Sequence, residues 1–275
     1  MGIFFAAPID EHPDYNKVTT TPTCSTQDAN FPASNLLTMD PTQVFTSTIQ
    51  NPVILWDLGA SYSFDVVSLI YTNLSDTATL LIETSTDNIS YTTRYNGLAL
   101  AHAISGQTTQ NKKNMLRVNH TLLNLSSPVT ARYLRITPNT QIAGVFPTIG
   151  RLFVGSKFTP ANGWQYGSQF TFQDNSPRQR TDRGALVVDA QPVITGANVK
   201  LDFSSRQEMY DNIYEFNYWR GGAREILACL ETDPTAQQWL QKNLLYCTLT
   251  EGRTISFDAY NTHSSAWVLE SIGVG

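Results

Sequence analysis

Between residues 50 and 155, short apolar segments alternate with clusters of Asn, Asp, Gly and Ser, and no stretch carries helical spacing. Val53-Ile-Leu-Trp-Asp-Leu58 is short and apolar. Phe64-Asp-Val-Val-Ser-Leu-Ile-Tyr-Thr-Asn73 is dense in β-branched and aromatic side chains, which suit a pleated, half-buried surface. Thr79-Leu-Leu-Ile-Glu-Thr-Ser-Thr86 is a further strand, closed by a turn at Asp87-Asn88. Leu116–His120 and Arg132–Thr137 alternate with period two, so one side of each faces a core. Many short strands joined by polar turns read as a sandwich or jelly roll.

The pattern changes after residue 156. Lys157-Phe-Thr-Pro-Ala-Asn-Gly163 holds Pro160 and Gly163, and 157–168 reads as a linker. Beyond it, Phe170–Phe172, Ala185–Ala190 and Ala197–Phe203 read as strands. Ser205 and Glu208 have the spacing of a capping box, in which each side chain satisfies the other's free backbone amide. Met209, Ile213 and Phe216 continue at helical spacing, and Gly221-Gly222 ends the helix. Glu225–Glu231 is a strand, Asp233-Pro-Thr starts a helical turn through Trp239-Leu240, and three strands follow, at Leu244–Leu249, Ile255–Tyr260 and Ala266–Ile272. The predicted fold is mainly β: an N-terminal jelly-roll β-sandwich, then a β-sandwich or split barrel with one inserted helix.

The net charge is −5 and no basic stretch interleaves with aromatics, so the footprint of a nucleic-acid binder is missing. Arg178, Arg180 and Arg183 form a local basic run, read as a flexible turn rather than a phosphate site. No apolar stretch approaches the roughly 18 residues that suggest a spanning helix. The apolar start Met1–Pro8 is shorter than a signal peptide and has no basic flank, and Ala6 breaks the myristoylation pattern after Gly2. Synthesis in a cytoplasm is the expectation. Cys24, Cys229 and Cys247 are odd in number and scattered, which argues against a disulfide framework. The sequons at Asn73, Asn88, Asn119 and Asn124 are then expected to be unused.

Nothing in the chain has the spacing of a catalytic or phosphate-binding motif, and no catalytic, cofactor-binding or metal residue is assigned. His12, His102, His120 and His263 lie far apart, with surface or packing roles expected. Glycoside hydrolysis would need two convergent carboxylates; Asp57, Asp65, Glu83 and Asp87 are the candidates, with Glu83 expected on a solvated face. Asp40-Pro41 reads as a turn in preference to a calcium loop. Phe45 and Trp56 are expected in the core. Tyr62, Tyr71, Tyr91, Tyr95, Phe146 and Trp164 lie near strand ends, where an exposed ring can stack on a sugar. The loops 39–48, 86–97 and 139–147 are the ones to watch. Tyr210, Tyr214, Tyr218 and Trp219 exceed what one helix face needs for a core, and are candidates for a subunit interface or for burial against the sheet.

Four segments in order carry a resemblance: Asn35-Leu-Leu with Asp40-Pro41, Ile54-Leu-Trp-Asp-Leu-Gly59, Leu81-Ile-Glu-Thr-Ser-Thr-Asp87, and Arg132-Tyr-Leu-Arg-Ile136 leading into Ile149-Gly-Arg-Leu-Phe-Val-Gly155. Together they resemble the discoidin-like, galactose-binding-like jelly roll over residues 18–156, within an expected domain 1–156. The order of elements in 169–275, with Gln191-Pro-Val, one helix, Arg224–Glu231, Asp233-Pro234 and Leu244-Leu-Tyr-Cys247, resembles the ring-forming domain of bacteriophage distal tail and minor tail proteins. The resemblance implies a non-enzymatic virion protein of the tail tip, made in the bacterial host cytoplasm and working without cofactor. It implies self-association into a ring that continues the tail tube, with tube, hub and other baseplate proteins as partners. An outward jelly roll would bind host polysaccharide or dock fibres. The alternatives are a carbohydrate-binding protein of a cell and, further off, a glycoside hydrolase.

Overall fold

The computed structural model describes residues 2–11, 18–75, 77–99, 120–191, 193–232, 240–250, 254–259 and 262–272. His12, His102, the expected strand before His120 and the expected turn at 233–239 lie outside these residues. The strands are β1 (Phe4–Pro8), β2 (Phe45–Thr46), β3 (Ile54–Thr72), β4 (Thr79–Ser85), β5 (Thr92–Leu98), β6 (Leu123–Asn139) and β7 (Thr148–Phe158). Next come β8 (Gln169–Asp174), β9 (Arg178–Arg180), β10 (Leu186–Val188) and β11 (Val193–Ser204). The series ends with β12 (Ile226–Cys229), β13 (Leu244–Leu249), β14 (Thr254–Ala259) and β15 (Thr262–Ser271). The fold class is mainly β, with sandwich architecture, as the strand pattern implied.

Two compact units form. Unit 1 takes residues 1–159 and 225–244; unit 2 takes 160–224 and 245–275. The division read from the sequence, with 157–168 as linker and everything from 169 on in one domain, therefore needs correction. β7 runs through Phe158, so the connection starts later. Segment 225–244 packs with the first unit because β12 pairs antiparallel with β1, Phe4 opposite Cys229 and Ala6 opposite Leu227. Every residue of β12 is buried.

Within unit 1 the strand order is β5-β4-β6-β3-β7-β1-β12, with β2 on β7. β3 is long enough to pair with β6 through its first part and β7 through its last, and bulges between Asp57 and Tyr62 and between Phe64 and Val66 bend it from one to the other. The core holds Leu36, Phe45, Ile54, Trp56, Phe64, Leu134, Ile136 and Leu152. Phe45 and Trp56 are fully buried as expected, and the Trp56 indole N–H donates to the Thr20 carbonyl at 3.0 Å, so the ring is buried without an orphaned donor. β1 approaches β7 closely at Gly155, where a Cβ would collide with the Ala7 carbonyl. His120 is buried: its Nδ1 accepts from the Tyr71 amide at 3.3 Å and its ring meets Tyr71 edge-on at 5.2 Å. Burial pushes its pKa down to about 3.

A buried charge cluster holds three distant segments of unit 1 together. Arg151 of β7 donates through Nη2 to Asp10 Oδ2 at 2.8 Å and through Nε to Glu225 Oε1 at 3.0 Å. Its Nη1 donates to the carbonyls of Leu36 and Leu152, both at 3.1 Å.

Unit 2 is an antiparallel sheet in the order β13-β15-β11-β8, with β14 also on β15. Its helix runs through Arg206–Glu208, a π-helical turn Met209–Tyr214 and Glu215–Arg220. Met209 and Ile213 are buried, and Phe216 stacks on Trp267 of β15 at 5.3 Å, which fixes the helix on the sheet. Ser205 caps the start, accepting from the Glu208 amide at 3.2 Å. The reciprocal half of the expected capping box is not made; the Glu208 carboxylate accepts from the Ala161 amide at 2.9 Å and ties the connecting segment to the helix instead. Gly221, at φ 54°, ends the helix in a conformation that side chains resist.

Candidate binding surfaces

Of the three watched loops, two share one end of unit 1. Loops 39–48 and 139–147 meet because β2 pairs with β7, Phe45 opposite Ile149 and Thr46 opposite Thr148. Of the third, expected at 86–97, residues 92–97 belong to β5, and the remaining loop 86–91 lies at the opposite end, since β4 starts beside Asn139 and finishes beside Tyr133.

The shared end is tightly bonded at the backbone and apolar at its tips. Asn73 donates to the Phe146 carbonyl at 2.7 Å and accepts from the Thr148 amide at 2.9 Å. Thr140 Oγ1 donates to the Val145 carbonyl at 2.6 Å. Gln141 is held at φ 58°, unusual for a residue with a side chain, and such strain concentrates at binding sites. Ile49, Ile142 and Phe146 remain exposed above this frame. Asp40 accepts from the Thr42 hydroxyl at 2.7 Å and the Thr42 amide at 2.9 Å, the side-chain turn read from the sequence, and these donors hold its carboxyl below the usual range.

The four carboxylates weighed for hydrolysis, Asp57, Asp65, Glu83 and Asp87, each have a different principal partner. Asp57 accepts Arg132 through both oxygens, at 2.8 and 3.0 Å, and the Gly59 amide at 2.9 Å. The Arg132 hydrogen bond leads in lowering its pKa. Asp65 accepts from the Lys157 amide at 2.9 Å. Asp87 accepts from the amides of Ile89 and Ser90, which bring its pKa to about 2. A general acid needs a raised pKa, and Asp57 and Asp87 move the other way. Glu83 departs from the solvated face expected of it: Arg135 covers it, Nε to Oε2 at 2.7 Å, and stacks over the Tyr91 ring at 3.8 Å.

In unit 2 the tyrosines of the helix stand on its outer side. Tyr210, Tyr214 and Tyr218 are 48%, 46% and 67% exposed, which removes burial against the sheet as their role. Their rings follow one another at 6.4 and 6.2 Å, the last two nearly parallel. Trp219 meets Tyr218 edge-on at 5.1 Å, and its indole N–H donates to Glu215 at 2.6 Å.

The Arg178–Arg183 run corrects a second reading. It belongs to a hairpin, with β9 and β10 paired from Arg178–Val188 to Arg180–Leu186. Every residue of both strands is exposed, Leu186, Val187 and Val188 included. Arg178 meets Asp174 at 3.1 Å, and Arg180 closes the tip on the Gly184 carbonyl at 3.0 Å. Among the described residues β8 pairs with β11 alone and β14 with β15 alone, so each leaves one edge open.

Sequence reasoning missed β1 and the Arg151 cluster. The run Phe4-Phe-Ala-Ala7 was a strand-length apolar signal. Nothing in the spacing of Asp10, Arg151 and Glu225 announces that they meet.

No family model matches the chain, and no curated protein matches it. Solved structures do. Chitosan-binding module 1 of a chitosanase/glucanase from Paenibacillus sp. IK-5 is 19% identical, over 50% of this chain and 96% of that one, with a TM-score of 0.38. The family 32 carbohydrate-binding module of C. perfringens NanJ, solved with galactose, is 16% identical over 56% of this chain and 99% of its own, with a TM-score of 0.39. The family 32 module of AlyQ, solved with 4,5-unsaturated mannuronic acid, is 21% identical over 48% and 92%, with a TM-score of 0.36.

Proposed function

We propose that the chain is a non-catalytic structural protein of a bacteriophage tail tip. In this reading unit 2 closes a ring with copies of itself and continues the tail tube beside the tube and hub proteins. Unit 1 is then left to bind host polysaccharide or dock fibres. The observation that carries the reading is the β9–β10 arm, exposed on every residue. A two-stranded hairpin is marginal by itself in water and needs a surface to pack on. The open edges of β8 and β14 support the same reading, because unpaired strand edges are templates for another chain. A head-to-tail contact whose rotation closes yields a ring, and a ring multiplies weak glycan contacts. The test is the molar mass of the purified protein by light scattering, with negative-stain images of the same sample. A closed ring of several copies is expected; a monomer across the whole concentration range would remove self-association.

A second reading, a carbohydrate-binding protein of a cell, draws on the Phe146 end of unit 1. There an exposed aromatic ring stands over a rigid polar frame containing strained Gln141. The full chain is expected to retain a polysaccharide in a glycan screen, and Phe146→Ala to weaken that binding about tenfold, since a stacked ring contributes roughly 1.5 kcal/mol. Retention unchanged by Phe146→Ala would place the site elsewhere.

A further inference from the structure

The tyrosine row on the helix of unit 2 is straighter than an ordinary helix would make it. In an α-helix a residue four places on is carried about 40° further round the axis. The π-helical turn Met209–Tyr214 is wider and drifts the opposite way. Tyr210 to Tyr214 crosses the π turn and Tyr214 to Tyr218 crosses α-helix, so the two drifts offset each other and Tyr218 returns close to the line of Tyr210 instead of winding further round the helix. Beside this row runs an acidic one. Asp211 and Glu215 are both exposed, and Glu215 holds Trp219 against Tyr218. The result is an aromatic track with negative charge along one side.

The arm of the same unit has the complementary chemistry. It bears Arg178, Arg180 and Arg183 with Leu186, Val187 and Val188, all exposed among the described residues, with Arg178 also meeting Asp174 and Arg180 the Gly184 carbonyl. A guanidinium stacks well on a tyrosine face, more strongly once water is excluded, and pairs separately with a carboxylate. The remaining apolar side chains then cover the rest of the ring surface.

We propose that the β9–β10 arm of one copy docks on the Tyr210–Tyr214–Tyr218 track of the next copy. Its arginines lie over the tyrosine rings and beside Asp211 and Glu215, and Leu186 and Val188, on the same face of the hairpin as Arg178 and Arg180, seal the contact. The two surfaces differ, so the contact is head-to-tail and repeats from copy to copy. This rests on the ring reading and names the surfaces that make it.

Cross-linking between two full-length variants tests the contact. One carries Gln179→Cys on the arm; the other carries Gln207→Cys, exposed one turn before Asp211. Cys24, Cys229 and Cys247 are buried, so a short bis-maleimide reads only the introduced thiols. Mixing the two is expected to yield a covalent dimer at least tenfold above a control pairing of Gln179→Cys with Ile89→Cys. Adding Arg180→Glu and Arg183→Glu to the arm variant should abolish the excess, and adding Asp211→Lys and Glu215→Lys to its partner should restore it. A yield equal to the control, or one indifferent to charge reversal, overturns the docking. The ring reading is judged separately by the light-scattering mass. A ring without the cross-link removes this contact alone, and a cross-link between copies that never close removes the ring and keeps the contact.

Discussion

Arg151→Leu is expected to destabilise unit 1 by roughly 3–5 kcal/mol, enough to unfold much of the population in a domain of ordinary stability. Arg151 is completely buried, and both carboxylates it meets are nearly or wholly buried too. Removing the guanidinium leaves Asp10 and Glu225 without their shared cation, and two backbone carbonyls without their donor. Buried anions facing each other must take up protons or draw in water, and either costs stability. The loss would not be confined to β7, because the cluster joins the segment after β1, the turn at Leu36 and the entry to β12. Urea unfolding followed by circular dichroism measures it. A triple variant, Arg151→Leu with Asp10→Leu and Glu225→Leu, separates charge from packing. It should recover most of the loss, since replacing a whole buried ionic cluster by apolar groups is often neutral. A single variant within about 1 kcal/mol of the parent would mean that the charges are hydrated and the cluster contributes little.

Acid should weaken the fold well above the range where carboxylates titrate, and His120 is the reason. Its folded pKa is about 3 against an ordinary value of 6.5. Between those values the unfolded chain binds a proton that the folded chain refuses, so stability rises with pH across the window and falls as pH drops below 6.5. The expected loss is about 2 kcal/mol between pH 6.5 and 5.0, growing to roughly 4–5 kcal/mol near pH 3. Asp40, Asp57, Asp87 and Asp174 act in the same sense but in a lower window. Hydrogen bonds chiefly from Thr42, Arg132, the Ile89 amide and Ser176 hold them ionised to lower pH, and their contribution is lost only as pH falls through those depressed values. The window from 6.5 to about 4.5 therefore reports histidine in preference to carboxylate. Urea midpoints at pH 7.5 and 5.0, in the parent and in His120→Gln, read the effect directly. An equal slope in both proteins would show that His120 protonates in place.

The strands of unit 1 were legible because burying one face of a strand writes a period of two into the chain. Val53–Leu58, Thr79–Thr86 and Arg132–Thr137 all fall within observed strands or their immediate flanks. Asn88 stands at positive φ, as the turn after Ser85-Thr-Asp87 demands. The helix of unit 2 and its glycine stop were legible for the same local reason, through Met209, Ile213 and Gly221. Tyr210, Tyr214, Tyr218 and Trp219 could be singled out by number, but which side of the helix they take depends on where the sheet lies.

Contacts between distant segments leave no periodic trace. The return of 225–244 to unit 1, the meeting of Asp10, Arg151 and Glu225, and the separation of loop 86–91 from the other two watched loops all follow from strand order. Local chemistry is nearly the same whichever strand becomes the neighbour. The sequence by itself determined where strands, turns and the helix form, because those depend on side chains a few places apart. Only the tertiary structure decided which charges are buried together and which apolar side chains, on the arm and along the tyrosine track, are left facing water.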